Sequence, residues 1–461
     1  MTRSPIAALL VCVGSLSGCP GDGVRMQTGL PPLPEPPPGP PQTIYVASHG
    51  APTNDGSQFS PLDLQTALSA NSPATPGSTI WLEGGLYRGT FTSRVSGRDG
   101  APITVRVAAG ERAVLACEKM DGTVLDVLSS YVVFRDFEVT CDTPSRVDTG
   151  KPGEPNGIYA DASTHVSFVN LVVHDMPGQG LALWSENVEA EVYGNLVYHN
   201  GTNHLDHGLY LQNASGTKRI EDNVVFGQAS HGIHAYGSSK AALDHFYFAG
   251  NVLFDNGDLA GQAERNILVG GQRVAHDLTL VDNYTYYPPA SARGSNNLGY
   301  HAGCADATVT GNYFVGPTAL VLVNCTPTQF ARNVFIGALE PPDLSATAPD
   351  NQYIPSGPHG TQVIVRPNRY QRGRAHVIVY NWDLQPEVTV DLSTTGLASG
   401  QPFEIRDVQD LFGEPLASGT YTGAPITLPM TGLRVATPVW AHAVPPLHTA
   451  PEFAVFIILP R

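Results

Sequence analysis

Between residues 130 and 340 the chain repeats short runs in which apolar and polar residues alternate. "GIYAD", "GLALW", "GLYLQ", "GIHAY", "NILVG", "NLGYH" and "ALVLV" are the clearest. A period of two is the signature of strands whose successive side chains point to opposite faces. The second and fourth residues are apolar almost throughout, from Ile158/Ala160 and Leu209/Leu211 to Leu298/Tyr300 and Leu320/Leu322. Those positions are expected to stack inward. Each unit also carries an asparagine motif, as in "YGNLVY", "EDNVVF" and "TGNYFV". The asparagines are Asn170, Asn195, Asn223, Asn251, Asn283, Asn312 and Asn333, with Asp136 in the same slot one unit earlier. Spacings of 21 to 34 residues mean constant strands joined by loops of variable length, which is the pattern of a solenoid. One asparagine per coil at a fixed turn position predicts an amide ladder along the axis.

The pattern changes at both ends. "SPLDLQTALSA" predicts a short helix, with Ser60 as N-cap, Pro61 in the first turn and Asp63 completing a capping box. Leu64, Ala67 and Leu68 then share one side, as a helix closing the open end of a solenoid requires. From about residue 338 the pattern stops, and "ALEPPDLSATAPDNQYIPSGPHG" reads as a linker, placed at 341–360. From 361 to 461, runs such as "AHVIVYNW", "EVTVDL" and "EFAVFIIL" predict a small antiparallel sandwich. The sandwich is expected to cap the last coil or to bind sugar through Tyr370 or Trp382.

These features resemble the right-handed parallel β-helix of the pectate-lyase-like superfamily over roughly residues 43–340, including the opening "IYVASHG", "NDG" and "PGSTIWLEGGLYRGTF". The resemblance implies an all-β fold with an N-terminal capping helix. The C-terminal part is similar to the β-sandwich that accompanies many carbohydrate-active enzymes. The arginine-containing signature of pectate lyases, the paired aspartates of polygalacturonases and the epimerase D-P-H-D are absent, so the resemblance implies fold more than chemistry.

Forty-eight Gly, 39 Pro and only 14% charged residues fit a turn-rich solenoid. The net charge of −16 excludes a broad nucleic-acid footprint. It also means that an acidic polymer would need a local cationic groove. Arg3 and the apolar run Ile6–Leu16 read as an export signal over 1–19, too short to span a bilayer as a mature helix. Leu16-Ser17-Gly18-Cys19 resembles the bacterial lipobox, which implies lipidation at Cys19 and an outer-membrane or cell-surface location. "PPLPEPPPGPP" within 20–42 predicts an extended tether. Four cysteines remain for two disulfides. Cys304 and Cys325 stand at the same offset before Asn312 and Asn333, which places them on adjacent coils, ~4.8 Å apart. Cys117 and Cys141 are left to pair on earlier coils.

The outward positions carry the candidate chemistry. His207, Tyr210, His231, His234, Tyr236 and Arg265 fall on three adjacent coils, about 10 Å along the axis. The twin segments "HGLYLQN" and "HGIHAYG" are successive coils of one face. In β-elimination on a uronate, a base removes the C5 proton, an acid protonates the leaving oxygen and a cation neutralises the carboxylate. His234 or His207 is the expected base, Tyr210 the acid and Arg265 the carboxylate clamp. Trp184, Gln212, His231, Tyr236 and His301 are expected to line the substrate. A lyase and a C5-epimerase share the first step.

Two other functions compete. A non-catalytic envelope protein would use the same face to bind polysaccharide, and its His and Tyr would simply bond to loops. A glycoside hydrolase would need a carboxylate pair, for which Asp206 and Glu264, ~9.6 Å apart by coil spacing, are the candidates. Calcium is a further candidate, through "DNGD" (Asp255, Asp258) or "TNDGS". The expected partners are a polysaccharide and, through the anchor, a membrane; a monomer is expected.

Overall fold

The computed structural model describes residues 39–461 apart from 109, 119–121, 144–154, 262–263, 290 and 292–293. The export signal, Cys19 and most of the tether lie outside the described residues. No helix among the described residues is long and apolar enough to cross a membrane.

The chain winds into a coil of parallel strands with three faces. One face runs from Thr43–Val46 through Val132–Arg135 and Lys218–Glu221 to Gln329–Ala331. A second, the outward His/Tyr face, stacks Leu125–Val127, Ile158–Ala160, Leu181–Leu183, Leu209–Leu211, Ile233–Gly237, Arg265–Gly271 and Ser295–His301 in that order. A third includes Val172–His174, Leu196–Tyr198, Val224–Phe226 and Val252–Phe254. Inward side chains from all three form one continuous apolar core, because each coil can bury its apolar row only against its neighbours.

The asparagines form the expected ladder, from Asn195 to Asn333. Each Nδ2 donates to the Oδ1 of the next, at 2.9 Å for Asn195–Asn223, Asn223–Asn251, Asn251–Asn283 and Asn283–Asn312, and at 2.8 Å for Asn312–Asn333. The preceding residue turns the corner with positive φ: Gly194, Asp222, Gly250, Asp282, Gly311 and Arg332. This explains the recurrent Gly-Asn and Asp-Asn pairs, since Gly and Asp tolerate the left-handed region best.

Three sequence expectations need correction. Asn170 and Asp136 are one residue early. They take the left-handed corner, at φ 54° and 68°, while Leu171 and Phe137 fill the ladder slot. At the other end, Asn351 extends the ladder (Asn333 Nδ2 to Asn351 Oδ1, 2.8 Å), and Gln352–Ile354 pairs in parallel with Val334–Glu340. The expected linker therefore holds another coil. The capping helix spans only Leu64–Leu68. Its N-cap is Asp63, which accepts from Thr66 N at 2.9 Å, not Ser60. Leu62 is bound to the first strand through Tyr45 O and Ala47 N, which holds Pro61 and Leu62 extended. Leu64, Ala67 and Leu68 are buried as expected.

A five-stranded antiparallel sheet and a two-stranded one follow from Thr361. They do not cap the last coil. They lie along the third face, where Tyr198, Phe226 and Phe254 stack at 5.1 and 4.8 Å and Tyr286 stacks on Phe453 at 4.5 Å. Trp382 donates to the Tyr313 hydroxyl at 3.1 Å and packs on Tyr380, so it belongs to this junction rather than to a sugar platform. Cys304–Cys325 and Cys117–Cys141 both bridge, with Cα separations of 4.5 and 5.0 Å, as expected of neighbouring coils.

Candidate active site on the histidine face

A column of side-chain acceptors precedes the second face. Asn156 Oδ1 accepts the amide of Gln179 at 3.0 Å, and Gln179 Oε1 that of His207 at 2.6 Å. His207 Nδ1 accepts the amide of His231 at 3.3 Å, and His231 Nδ1 lies 3.3 Å from that of Arg265. The repeated His-Gly thus has a structural component: the His207 imidazole secures the start of the next strand. The glycine after each column residue is required by packing. A Cβ on Gly208 would lie 2.7 Å from Gly232 O, and one on Gly232 2.6 Å from Asn256 Nδ2.

Beyond this column, the strands bring His234 and Tyr210 into register, with ring centroids 5.6 Å apart. His234 Nδ1 lies 2.7 Å from His207 Nε2. Because His207 Nδ1 already accepts an amide, a neutral His207 carries its proton on Nε2 and donates it to His234 Nδ1. Neither of these rings then offers a free lone pair. His231 differs, since its Nδ1 is 2.9 Å from Glu264 Oε2. The shorter, charged contact outweighs the 3.3 Å amide, places the His231 proton on Nδ1 and leaves Nε2 as an acceptor. Burial pushes the pKa of all three imidazoles down; for His231, Glu264 partly opposes it. Burial raises the Tyr210 phenol, whose oxygen accepts from Gln212 Nε2 at 3.0 Å. The Arg265 guanidinium lies 3.7 Å from Glu264, and its Nε has no partner.

The face therefore gathers His207, Tyr210, Gln212, His231, His234, Tyr236 and Arg265. Trp184 continues it, 5.3 Å from Tyr210 and 5.9 Å from Tyr159, with its buried indole N–H unpartnered. Tyr159 and Asp126 extend the same outward row toward the N-terminus, where they line a 540 Å³ hollow. Both lie N-terminal to the His-rich coils, and neither stands in a motif that singles it out.

Other expected residues fall elsewhere. His301 pairs with Gly271, not Gly270, because Ile267 and Val269 face Asn296 and Leu298 rather than Leu298 and Tyr300; it is exposed and packs at a tilt against Tyr300. Because Ile267 and Val269 face Asn296 and Leu298, these two and not Tyr300 are the buried pair, and on the next coil Leu320 is buried while Leu322 is not. Asp206 is buried and accepts from Thr202 N and Oγ1 at 3.0 and 3.2 Å, holding its own loop. With Glu264 committed to His231, the expected carboxylate pair does not face a common groove.

Among the described residues, three metal-ligating side chains converge only at His207, His231 and His234, with one nitrogen of each within 4.8 Å of the others. A metal needs lone pairs pointing inward and N–H groups pointing away. Here His207 Nδ1 faces an amide hydrogen and its Nε2 meets His234 Nδ1, so the trio does not present a metal with three inward lone pairs. Calcium, a hard cation that takes oxygen ligands, does not fit it. In the two acidic loops, Asp255 is partly buried with the charge of Asp258 acting on it, and Asp55 caps the amide of Ser57 at 2.9 Å.

Residues 44–258 match the model for the "Pel9A-like, right handed beta helix region". That stretch, a little under half of the chain, is similar to a Pel9A-like β-helix. It contains His207, Tyr210, His231 and His234 and ends before Glu264 and Arg265. The pectate disaccharide-lyase of Dickeya chrysanthemi is 27% identical over 276 residues, 56% of this chain and 33% of that protein. Pectate lyase L of Dickeya dadantii (strain 3937) is 31% identical over 154 residues, 30% of this chain and 33% of that protein. The chain thus spans about a third of the length of these relatives. The crystal structure of pectate lyase Pel9A, at 20% identity and a TM-score of 0.46, covers 65% of this chain and 76% of its own.

Proposed function

We propose that the protein acts on a uronic-acid polysaccharide by β-elimination on the histidine face. The observation that carries this reading is the His231–Glu264 pair beside Tyr210 and Arg265. A carboxylate that fixes one imidazole tautomer and supports the imidazolium is the arrangement of a general base. In the reading, Arg265 draws in the substrate carboxylate, and His231 Nε2 takes the C5 proton. The electron pair forms the C4–C5 double bond, the C4–O bond breaks, and the Tyr210 hydroxyl protonates the departing oxygen. His234 donates a hydrogen bond from Nε2. Glu264 is a positioning residue. His231 replaces the expected base, His234 or His207, because those two are bonded to each other.

The assay is the ultraviolet absorbance of the unsaturated product, with full-length protein and a panel of uronic-acid polysaccharides. Epimerisation would exchange the C5 hydrogen with solvent without absorbance, and simple binding would do neither. The pH profile gives a sharper test. The base must be unprotonated, and its pKa lies below the ordinary 6.5. Activity should therefore persist as pH falls through 6.5 and disappear only below it. Glu264→Gln should move that acid limb lower still, since it removes the charge that favours the proton. A limb at or above pH 6.5, or one unmoved in Glu264→Gln, would remove His231 from the base role.

We also propose that Cys19 carries a lipid anchor, on the strength of Leu16-Ser17-Gly18-Cys19. Cys19→Ala should shift the protein from the membrane to the soluble fraction. A variant that stays membrane-bound and lipid-labelled would refute the anchor.

A further inference from the structure

On the opposite side of the solenoid, a cleft of about 880 Å³ opens between the coils and the C-terminal sheet. Six arginines line it, in a chain with 25 Lys and Arg in total and a net charge of −16. Three are matched: Arg112 by Glu138 at 2.6 Å, and Arg406 and Arg461 by Glu404 at 2.7 and 2.5 Å. The other three share one carboxylate. Arg135 Nε and Arg106 Nη2 reach Asp136 at 2.7 and 3.2 Å. Arg374 is the third, drawn to Asp136 electrostatically and repelled by Arg135.

Arg374 is only 8% exposed, and its Nε has no hydrogen-bond partner; neither has the buried Nε of Arg106. Burying a guanidinium without a full set of acceptors is costly. Burial lowers the Arg374 pKa to about 10, which still leaves it charged at neutral pH. Two rings flank the cluster. Tyr370 lies with Arg135 5.8 Å from its centroid. Phe412, 49% exposed, carries Arg112 at 4.2 Å. Guanidinium groups in excess of carboxylates, next to ring faces, are what a carboxylated sugar needs: bidentate acceptors for its acid and a flat apolar surface for its C–H face.

We propose that the junction cleft is a second carbohydrate site, which binds the carboxylate of a uronic-acid chain at Arg106, Arg135 and Arg374. The site shares no residue with the histidine face and does not depend on the elimination reading. It would hold the polymer away from the catalytic groove.

The test is calorimetric titration of full-length His231→Gln protein, so that the probe is not consumed, with a short oligogalacturonate and its fully methyl-esterified counterpart. The acid form should bind, more weakly as salt rises, and the ester should not. Arg374→Gln and Arg106→Gln should each weaken binding by ~10- to 100-fold, the worth of a charged hydrogen bond, and leave initial rates in the wild-type background intact. Phe412→Ala, at an exposed ring, should weaken it by a smaller factor and keeps the test open if Arg374→Gln misfolds. Unchanged affinity in Arg106→Gln and Phe412→Ala, or equal binding of the ester, would overturn the site. Failure of the elimination reading would look different: no unsaturated product from wild type, with cleft binding intact.

Discussion

Tyr210→Phe should slow formation of the unsaturated product by ~10²–10⁴, the usual worth of a positioned acid. The phenol sits in register with His234 and receives one hydrogen bond, from Gln212. Losing the hydroxyl therefore removes one polar contact and leaves the ring's packing against Trp184 in place. The expected cost in stability is about 1 kcal/mol. Denaturant midpoints and turnover of the same preparation decide between roles. A large rate loss with a near-normal midpoint makes Tyr210 catalytic. A lowered midpoint with unchanged turnover makes it structural. If both are unchanged, the reaction is elsewhere, and the row continuing through Trp184, Tyr159 and Asp126 is the next to test.

Asn251→Ala should produce a large loss of stability for a single polar side chain. Asn251 Nδ2 donates to Asn283 Oδ1 at 2.9 Å and to Ile220 O at 2.7 Å. Its Oδ1 accepts from Asn223 Nδ2 at 2.9 Å and from Asn223 N at 3.2 Å. The residue is fully buried. Truncation leaves a buried amide N–H and a buried carbonyl without partners, at roughly 1–3 kcal/mol each, and interrupts a polarised chain. A total of about 2–5 kcal/mol is expected, read from the shift of the denaturant midpoint. Asn351→Ala, at the half-buried end of the ladder, should cost less. Equal effects at the two positions would mean that the ladder is not continuous.

Both predictions rest on features that differ in how far the sequence revealed them. The ladder from Asn195 to Asn333 was legible because the left-handed corner admits few residues. Gly or Asp before Asn therefore recurs even though loop lengths vary. Asn170 misled because the same letters stand one step early, where the corner rather than the ladder needed them. Asn351 was hidden by proline-rich flanks that read as a linker.

The site shows the same division. Alternation fixed which residues of 207–237 face outward, and hence that His207, Tyr210, His231, His234 and Tyr236 meet. Their roles depend on angles and neighbours that no period encodes. Glu264 and His231 lie 33 positions apart in sequence but 2.9 Å apart in space, because the strands that follow them pair on adjacent coils. Asp206, one residue before His207, turns into its own loop. Ile267 and Val269 face Asn296 and Leu298, so His301 falls opposite Gly271, one position off the row.

The sequence by itself determined the strand period, the coil-by-coil stacking, both cysteine pairs and the convergence of imidazoles on one face. Those follow from repetition, which each coil states locally. Only the tertiary structure decided which histidine has a carboxylate and which is held by an amide. It also decided that the C-terminal sheet lies along the third face and closes an arginine-lined cleft against it. These arrangements join residues such as Asp136 and Arg374 that are far apart in the chain and belong to no common repeat. They are set by which surfaces pack together, and no local pattern records that.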